Sequence, residues 1–307
     1  MPVLSPLAAI GEFMFYLCLC LATERRFYML KTSDIQIRDP FILVYDNKYY
    51  MYAQNFPYGF KAYVSSDLEN WEEPQEIIRF PKGFWATKNF WAPEVHIHNG
   101  KFFLFVTLRS ETRKRGVQIF RSDSPLGPFE IISDGPVTPE DWMCIDGTLY
   151  RDKSGKPYMV FCHEWTDIKD GTMCYAELSE DFTHFLSKPE TMFHASDYPF
   201  VKSVLPEPGN FVTDGPFLHR CDNGDLLMIW SSYGSKGYFE SLLKSDNGEI
   251  NGKWIAQDML FESDGGHGML FKDLEGKLKL ALHRPNSHDE RLALFNIEEK
   301  DGNLIVI

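Results

Sequence analysis

Beyond Met29 the apolar positions of the chain fall in short alternating segments rich in Val, Ile, Phe and Tyr, broken every ten residues or so by Gly, Asn, Asp or Pro. Side chains of a strand alternate between two faces, so this pattern predicts strands, and no long stretch carries the helical period. The expected fold class is all-β.

The segments recur as a larger unit. Its starts read Arg38-Asp39-Pro40-Phe41, Ala92-Pro93-Glu94-Val95, Ile145-Asp146-Gly147-Thr148, Thr213-Asp214-Gly215-Pro216 and Gly266-His267-Gly268-Met269. The lead polar residues Asp39, Glu94, Asp146, Asp214 and His267 stand 55, 52, 68 and 53 positions apart, close to the length of a four-stranded propeller blade. Five units predict a five-bladed β-propeller over residues 29–307, with an insertion at residues 192–211 filling the long interval. Turn residues such as Asp46-Asn47, Asn99-Gly100 and Asn223-Gly224 join the paired apolar runs inside each unit. Trp71, Phe129 and Trp254, which follow polar turns late in the units, read as core packed between blades.

In such a propeller the innermost strand of every blade starts at one face of the central channel, so the lead residues converge on one space. Converging acids repel one another and lose solvation, which an arrangement kept for stability alone would avoid. The second strand of each blade returns to the same face and adds a polar and aromatic ring: Gln54-Asn55, residues 107–110, His163-Glu164-Trp165, Trp230-Ser231-Ser232 and His283-Arg284-Pro285-Asn286. Aromatic faces beside hydrogen-bonding groups form the usual wall of a sugar site.

Charge narrows the partners. Acidic residues outnumber basic ones 44 to 31, giving a formal charge of −13, which repels a phosphate backbone and an anionic membrane surface alike. No apolar run reaches the roughly 18 residues needed to span a bilayer, so neither nucleic acid nor membrane is expected as a partner. The six cysteines are scattered, without CxxC pairs, and read as buried free thiols. Residues 1–28 form an N-terminal extension with an apolar run at 13–22 preceded by Glu12. Two readings stay open there: a weak export signal, implying a secreted or periplasmic protein, or a start at Met29, implying a cytoplasmic one.

With Arg38-Asp39-Pro40 opening the first unit and Trp91-Ala92-Pro93-Glu94 the second, the chain from Asp34 onward resembles glycoside hydrolase family 43, the arabinofuranosidase, arabinanase and xylosidase group. The resemblance implies hydrolysis of arabinofuranosyl or xylosyl linkages in oligosaccharides or polysaccharides by an inverting acid/base mechanism. It implies Asp39 as general base and Asp146 as the residue that tunes and holds the acid. The acid itself falls on Asp214, in a step that in the family usually carries a glutamate. Glu164, and less directly Glu207, are the alternative carboxyls. Glu94, Trp91 and Glu164 are expected at the sugar wall, as are Arg284 and His267. No cofactor is expected to be required, although His267 is a candidate ligand for a structural calcium or other cation in the channel. Two alternatives share the fold: a sugar-binding propeller with impaired catalysis, and a fructan hydrolase or glycoside phosphorylase.

Overall fold

The computed structural model describes residues 29–307; the N-terminal extension, with Cys18 and Cys20, lies outside them. Five antiparallel sheets follow one another along the chain; in the last four the first strand is innermost and the later strands lie progressively outward, and the first adds the short strand Leu30–Lys31 at its outer edge against Asn70–Trp71. The innermost strands are Phe41–Tyr45, Lys88–His98, Cys144–Arg151, Asp214–Arg220 and Gly266–Lys272, and their partners are Lys48–Gln54, Lys101–Arg109, Pro157–His163, Leu226–Gly234 and Leu278–Arg284. The chain is thus a five-bladed β-propeller. The expected hairpins join each of these pairs. In the first two blades the turn is made by two residues of positive φ, Asp46-Asn47 and Asn99-Gly100, the conformation that matches the twist of two-residue hairpins.

The second strands do not alternate, and their packing gives the reason. Leu226, Met228 and Trp230 pack towards the third blade with Val160, Cys162 and Met173. Their neighbours Leu227 and Ile229 pack towards the fifth with Leu270, Leu280 and Leu282. Another cluster joins the second blade to the third through Phe105 and Ile119 against Met159 and Phe161. A strand covered on both faces reads as a continuous apolar run. Trp71, Phe129 and Trp254 are buried, and Cys144, Cys162, Cys174 and Cys221 are buried free thiols.

The turn after the third strand of the first blade is tied by side chains. Ser65 Oγ accepts from the N–H groups of Asp67 and Leu68, and Asp67 accepts from those of Glu69 and Asn70. These local bonds satisfy backbone donors where no strand partner remains.

The ring closes without a shared sheet. The first blade is built wholly from the N-terminal side of the described chain and the fifth wholly from its C-terminal end. Between them runs a single bridge, Gln36 to Arg291, with Ile37 N–H donating to Glu290 O at 3.0 Å. Gln36 Nε2 donates to His288 O at 2.7 Å and Arg38 pairs with Glu290 at 3.3 Å. Met269, Phe271, Ala281 and Leu292 of the fifth blade join the apolar cluster of the first.

The insertion begins later than the spacing suggests. Glu190–His194 is still the outer strand of the third blade. The segment beyond it crosses the channel face, where Lys202, Ser203 and Val204 line the pocket, and returns through Phe211, whose N–H and C=O bond to Lys169 O and Gly171 N.

Candidate active site

Every innermost strand starts with the same irregularity. Asp39, Ala92, Asp146, Gly215 and His267 all have φ between +44° and +55°, and in blades two to five the strand register breaks across them. Such a bulge bends the strand and re-aims a side chain. A left-handed backbone is costly outside Gly and tolerated best by Asp and Asn, so its recurrence at the channel mouth marks a site the fold is built around.

This geometry corrects the equivalence read from spacing. In the second blade the bulged residue is Ala92, and Glu94 lies two positions further on. It is buried against His96, at 2.8 Å, while Trp91 lines the pocket. In the fourth blade the bulged residue is Gly215, and the acid stands just before it. A Cβ at Gly215 would lie 2.8 Å from Cγ of His267, so only glycine fits there.

Three carboxylates meet at His267. Its Nδ1 lies 3.2 Å from Asp39 Oδ1, 3.7 Å from Asp214 Oδ1 and 3.9 Å from Asp146 Oδ2. They form the floor of a pocket of about 750 Å³, whose walls include Trp91, Glu164 and Trp165, with Phe56 at the rim. Asp39 and Asp146 are buried; Asp214 is the most exposed of the three.

Supporting residues hold each one. Asp39 Oδ1 is buried between His267 Nδ1 at 3.2 Å and His283 Nδ1 at 3.3 Å, and the Asp39 N–H approaches the same His283 nitrogen at 3.3 Å. His283 is oriented by Asn286 through its other nitrogen, at 3.0 Å, and Asn286 donates to Tyr233 OH. The Asp146 N–H donates to Thr107 Oγ1 at 3.0 Å, and its carboxylate accepts from Gly215 N–H at 3.2 Å. Tyr238 OH donates to Asp214 Oδ2 at 2.6 Å. The fifth bulge rests on Ser231, whose Oγ accepts from His267 N–H at 2.7 Å and donates to the buried Glu240. Glu240 also accepts from Gly268 N–H at 2.8 Å, and burial still pushes its carboxyl up to about 8 against the pull of those two donors.

The acids are driven in opposite directions. Burial favours the neutral form of Asp39, but His267, the hydrogen bond with His283 and the Arg38 guanidinium outweigh it and hold this carboxyl well below the usual range. Asp146 is pushed well above it, first by burial, then by the charge and hydrogen-bonding contact of Asp214 and the charge of Asp39. A carboxylate held ionised, Asp39, therefore faces one driven towards its protonated form, Asp146, the arrangement that acid/base chemistry at one centre requires.

Glu164 stands at the pocket wall but is salt-bridged to the buried Arg115, which lies 4.7 Å over the Trp91 ring. Glu207 is exposed on the insertion and does not line the pocket. Arg284 points outward over Phe261 at 5.5 Å, whereas its strand neighbour His283 faces the channel. Spacing alone did not single out Arg115, Tyr238 or Glu240, whereas His283 belongs to the ring expected at the channel face. Glu240 had a signal, a charge inside the apolar run Phe239 to Leu243. Donor atoms of Asp146, Asp214 and His267 lie within 4.8 Å of one another, as do those of His219, Cys221 and Glu299. The second set sits at the far end of the fourth blade's inner strand, where Glu299 already accepts from His219 and from the Asp222 N–H.

The profile of glycosyl hydrolases family 43 matches residues 32–297. The chain is 37% identical, with a TM-score of 0.86, to an endo-arabinase from Bacteroides thetaiotaomicron VPI-5482, over 90% of this chain and 99% of that one. It is 26% identical over 121 residues to the extracellular endo-alpha-(1->5)-L-arabinanase 1 of Bacillus subtilis, and 24% identical over 151 residues to xylosidase/arabinosidase 43A of Humicola insolens. These alignments take in 36% and 43% of this chain and only 38% and 45% of the two curated relatives.

Proposed function

The chain belongs to glycosyl hydrolases family 43, and on that premise we propose that it cleaves arabinofuranosyl or xylosyl linkages of plant-derived polysaccharides and their oligosaccharides by direct inversion. The observation that carries the reading is the convergence of Asp39, Asp146 and Asp214 on His267 at the floor of one pocket. An arabinan-type chain is the preferred substrate, because the relative at 37% identity is an endo-arabinase.

In this mechanism Asp39 accepts a proton from water, whose oxygen forms the new bond to the anomeric carbon. A carboxylate held ionised by His267, His283 and Arg38 suits that task. Asp214, the more exposed of the two neighbouring aspartates, gives a proton to the departing glycosidic oxygen as the old bond breaks. Asp146, pushed up first by burial and then by the Asp214 and Asp39 carboxylates, holds a proton beside it that can pass to Asp214. The His267 legs of 3.2 Å and 3.7 Å keep Asp39 Oδ1 and Asp214 Oδ1 within about 6.9 Å of each other, at most the short end of the roughly 6.5–9.5 Å inverting range. A cation on Asp146, Asp214 and His267 would find only two carboxylates of the six to eight or so oxygen ligands calcium takes. It would also compete with the retained proton, so no step uses one.

Asp214→Ala tests the acid. With a sugar leaving group kcat should fall by about 10²-fold or more, while release of nitrophenol, which leaves without protonation, should fall far less. Equal losses on both would remove Asp214 from this role. A wild type that binds these sugars but turns over none would leave a binding protein instead. Proton NMR of the first-formed product should show the inverted anomer, and a retained one would exclude direct displacement.

A further inference from the structure

The rim of the pocket carries an aromatic feature that acid/base chemistry does not use. Phe56 lines the pocket and yet is 84% exposed, and Tyr58 in the same turn is 61% exposed. The turn is anchored: Asn55 N–H donates to Gly59 O at 2.9 Å, Phe60 beyond it is fully buried, and the Tyr58 ring packs edge-on against Phe90 at 5.7 Å. Phe90 adjoins Trp91, the aromatic of the pocket wall. Tyr58 is thus tied to the core through Phe90, while Phe56 stands in water on the same anchored turn at the edge of the pocket that Trp91 lines. Exposed aromatics of this kind carry a hydration cost and mark a surface that something covers.

Resting on the hydrolase reading above, we infer that Phe56, supported by Tyr58, is a stacking platform for sugar units of the same chain whose cleaved unit occupies the pocket. The occupant follows from continuity, because Phe56 is part of the pocket's own wall and whatever leaves the pocket on that side passes over it. Pyranose and furanose rings present C–H faces that lie flat on an aromatic ring. Polymeric substrates are then preferred to short ones, with Phe56 setting the preference.

The test is a length series. Linear arabino-oligosaccharides of two to six units, or xylo-oligosaccharides if the wild type cleaves only those, are hydrolysed by the wild type, Phe56→Ala and Phe56→Tyr. Wild-type kcat/KM should rise with length. Phe56→Ala should lose roughly three- to tenfold more on the longer members than on the shortest one cleaved, mostly in KM. Phe56→Tyr, which keeps the ring, should retain the length dependence and shows that the position tolerates change. A uniform loss across all lengths, or none, in a Phe56→Ala protein of unchanged melting temperature overturns the platform while leaving the hydrolase reading intact. No hydrolysis of any member by the wild type fails the hydrolase reading itself, and the platform with it.

Discussion

Asp39→Asn should lower kcat/KM by roughly 10³–10⁴-fold, the upper end of what a general base contributes, and should also destabilise the protein at neutral pH. Both effects come from one set of contacts. Although burial opposes its charge, Asp39 is held below the usual carboxylate range by His267, His283 and Arg38. A carboxyl whose folded pKa is depressed binds fewer protons in the folded than in the unfolded state. Its contribution to stability is therefore present above the unfolded value near 4 and is lost as pH falls through the folded one. The melting temperature of Asp39→Asn should thus lie below the wild type's at pH 7 and approach it in strong acid. Turnover that survives the substitution, in a protein folded by circular dichroism, would remove Asp39 from the chemistry.

Asp146→Asn should lose activity on a similar scale, roughly 10³-fold, and yet melt higher than the wild type at pH 7 to 8. The sign reverses because the shift does. Asp146 is raised by burial and by the neighbouring Asp214 and Asp39 carboxylates, so the folded state binds the extra proton. Stability is then lost as pH rises from the unfolded value through the folded one. Asparagine can still accept the Gly215 N–H bond and carries no charge to be repelled. The wild-type rate should decline in alkali as that proton is lost, while the depressed Asp39 leaves the acid side of the profile flat to low pH. A melting temperature lowered by Asp146→Asn would mean that its hydrogen bonds outweigh the repulsion, and that the triad is less strained than the shifts imply.

The contrast between these two aspartates shows where sequence reading stops. Five blades, their hairpins and the positions of Asp39, Asp146 and His267 were legible because turn residues and strand spacing are local properties. Glu94 and Asp214 were read as equivalent to them because both open a blade. Yet the bulges fall on Ala92 and Gly215, and a bulge decides which way the adjoining side chain faces. The same limit applies to His283 and Arg284: adjacent in sequence, they lie on opposite faces of one strand, and only the channel-facing one meets Asp39. Arg115 stands just before the strand Gly116–Ser122 and Tyr238 within Gly237–Ser245; they act on the pocket through Glu164 and Asp214, and no spacing rule points to them.

The seam between the first and fifth blades has a further consequence. Asp39 belongs to the blade at the start of the described chain, while His267 and His283, which hold it ionised, belong to the blade at its end. The candidate catalytic base is thus assembled by the same event that closes the ring, across a joint held by one backbone bridge and a few side chains. Opening this joint would part Asp39 from the two histidines that hold it ionised. Hydrolytic competence would then report on the wholeness of the circle, switching off with the first opening of the joint, before any blade has unravelled.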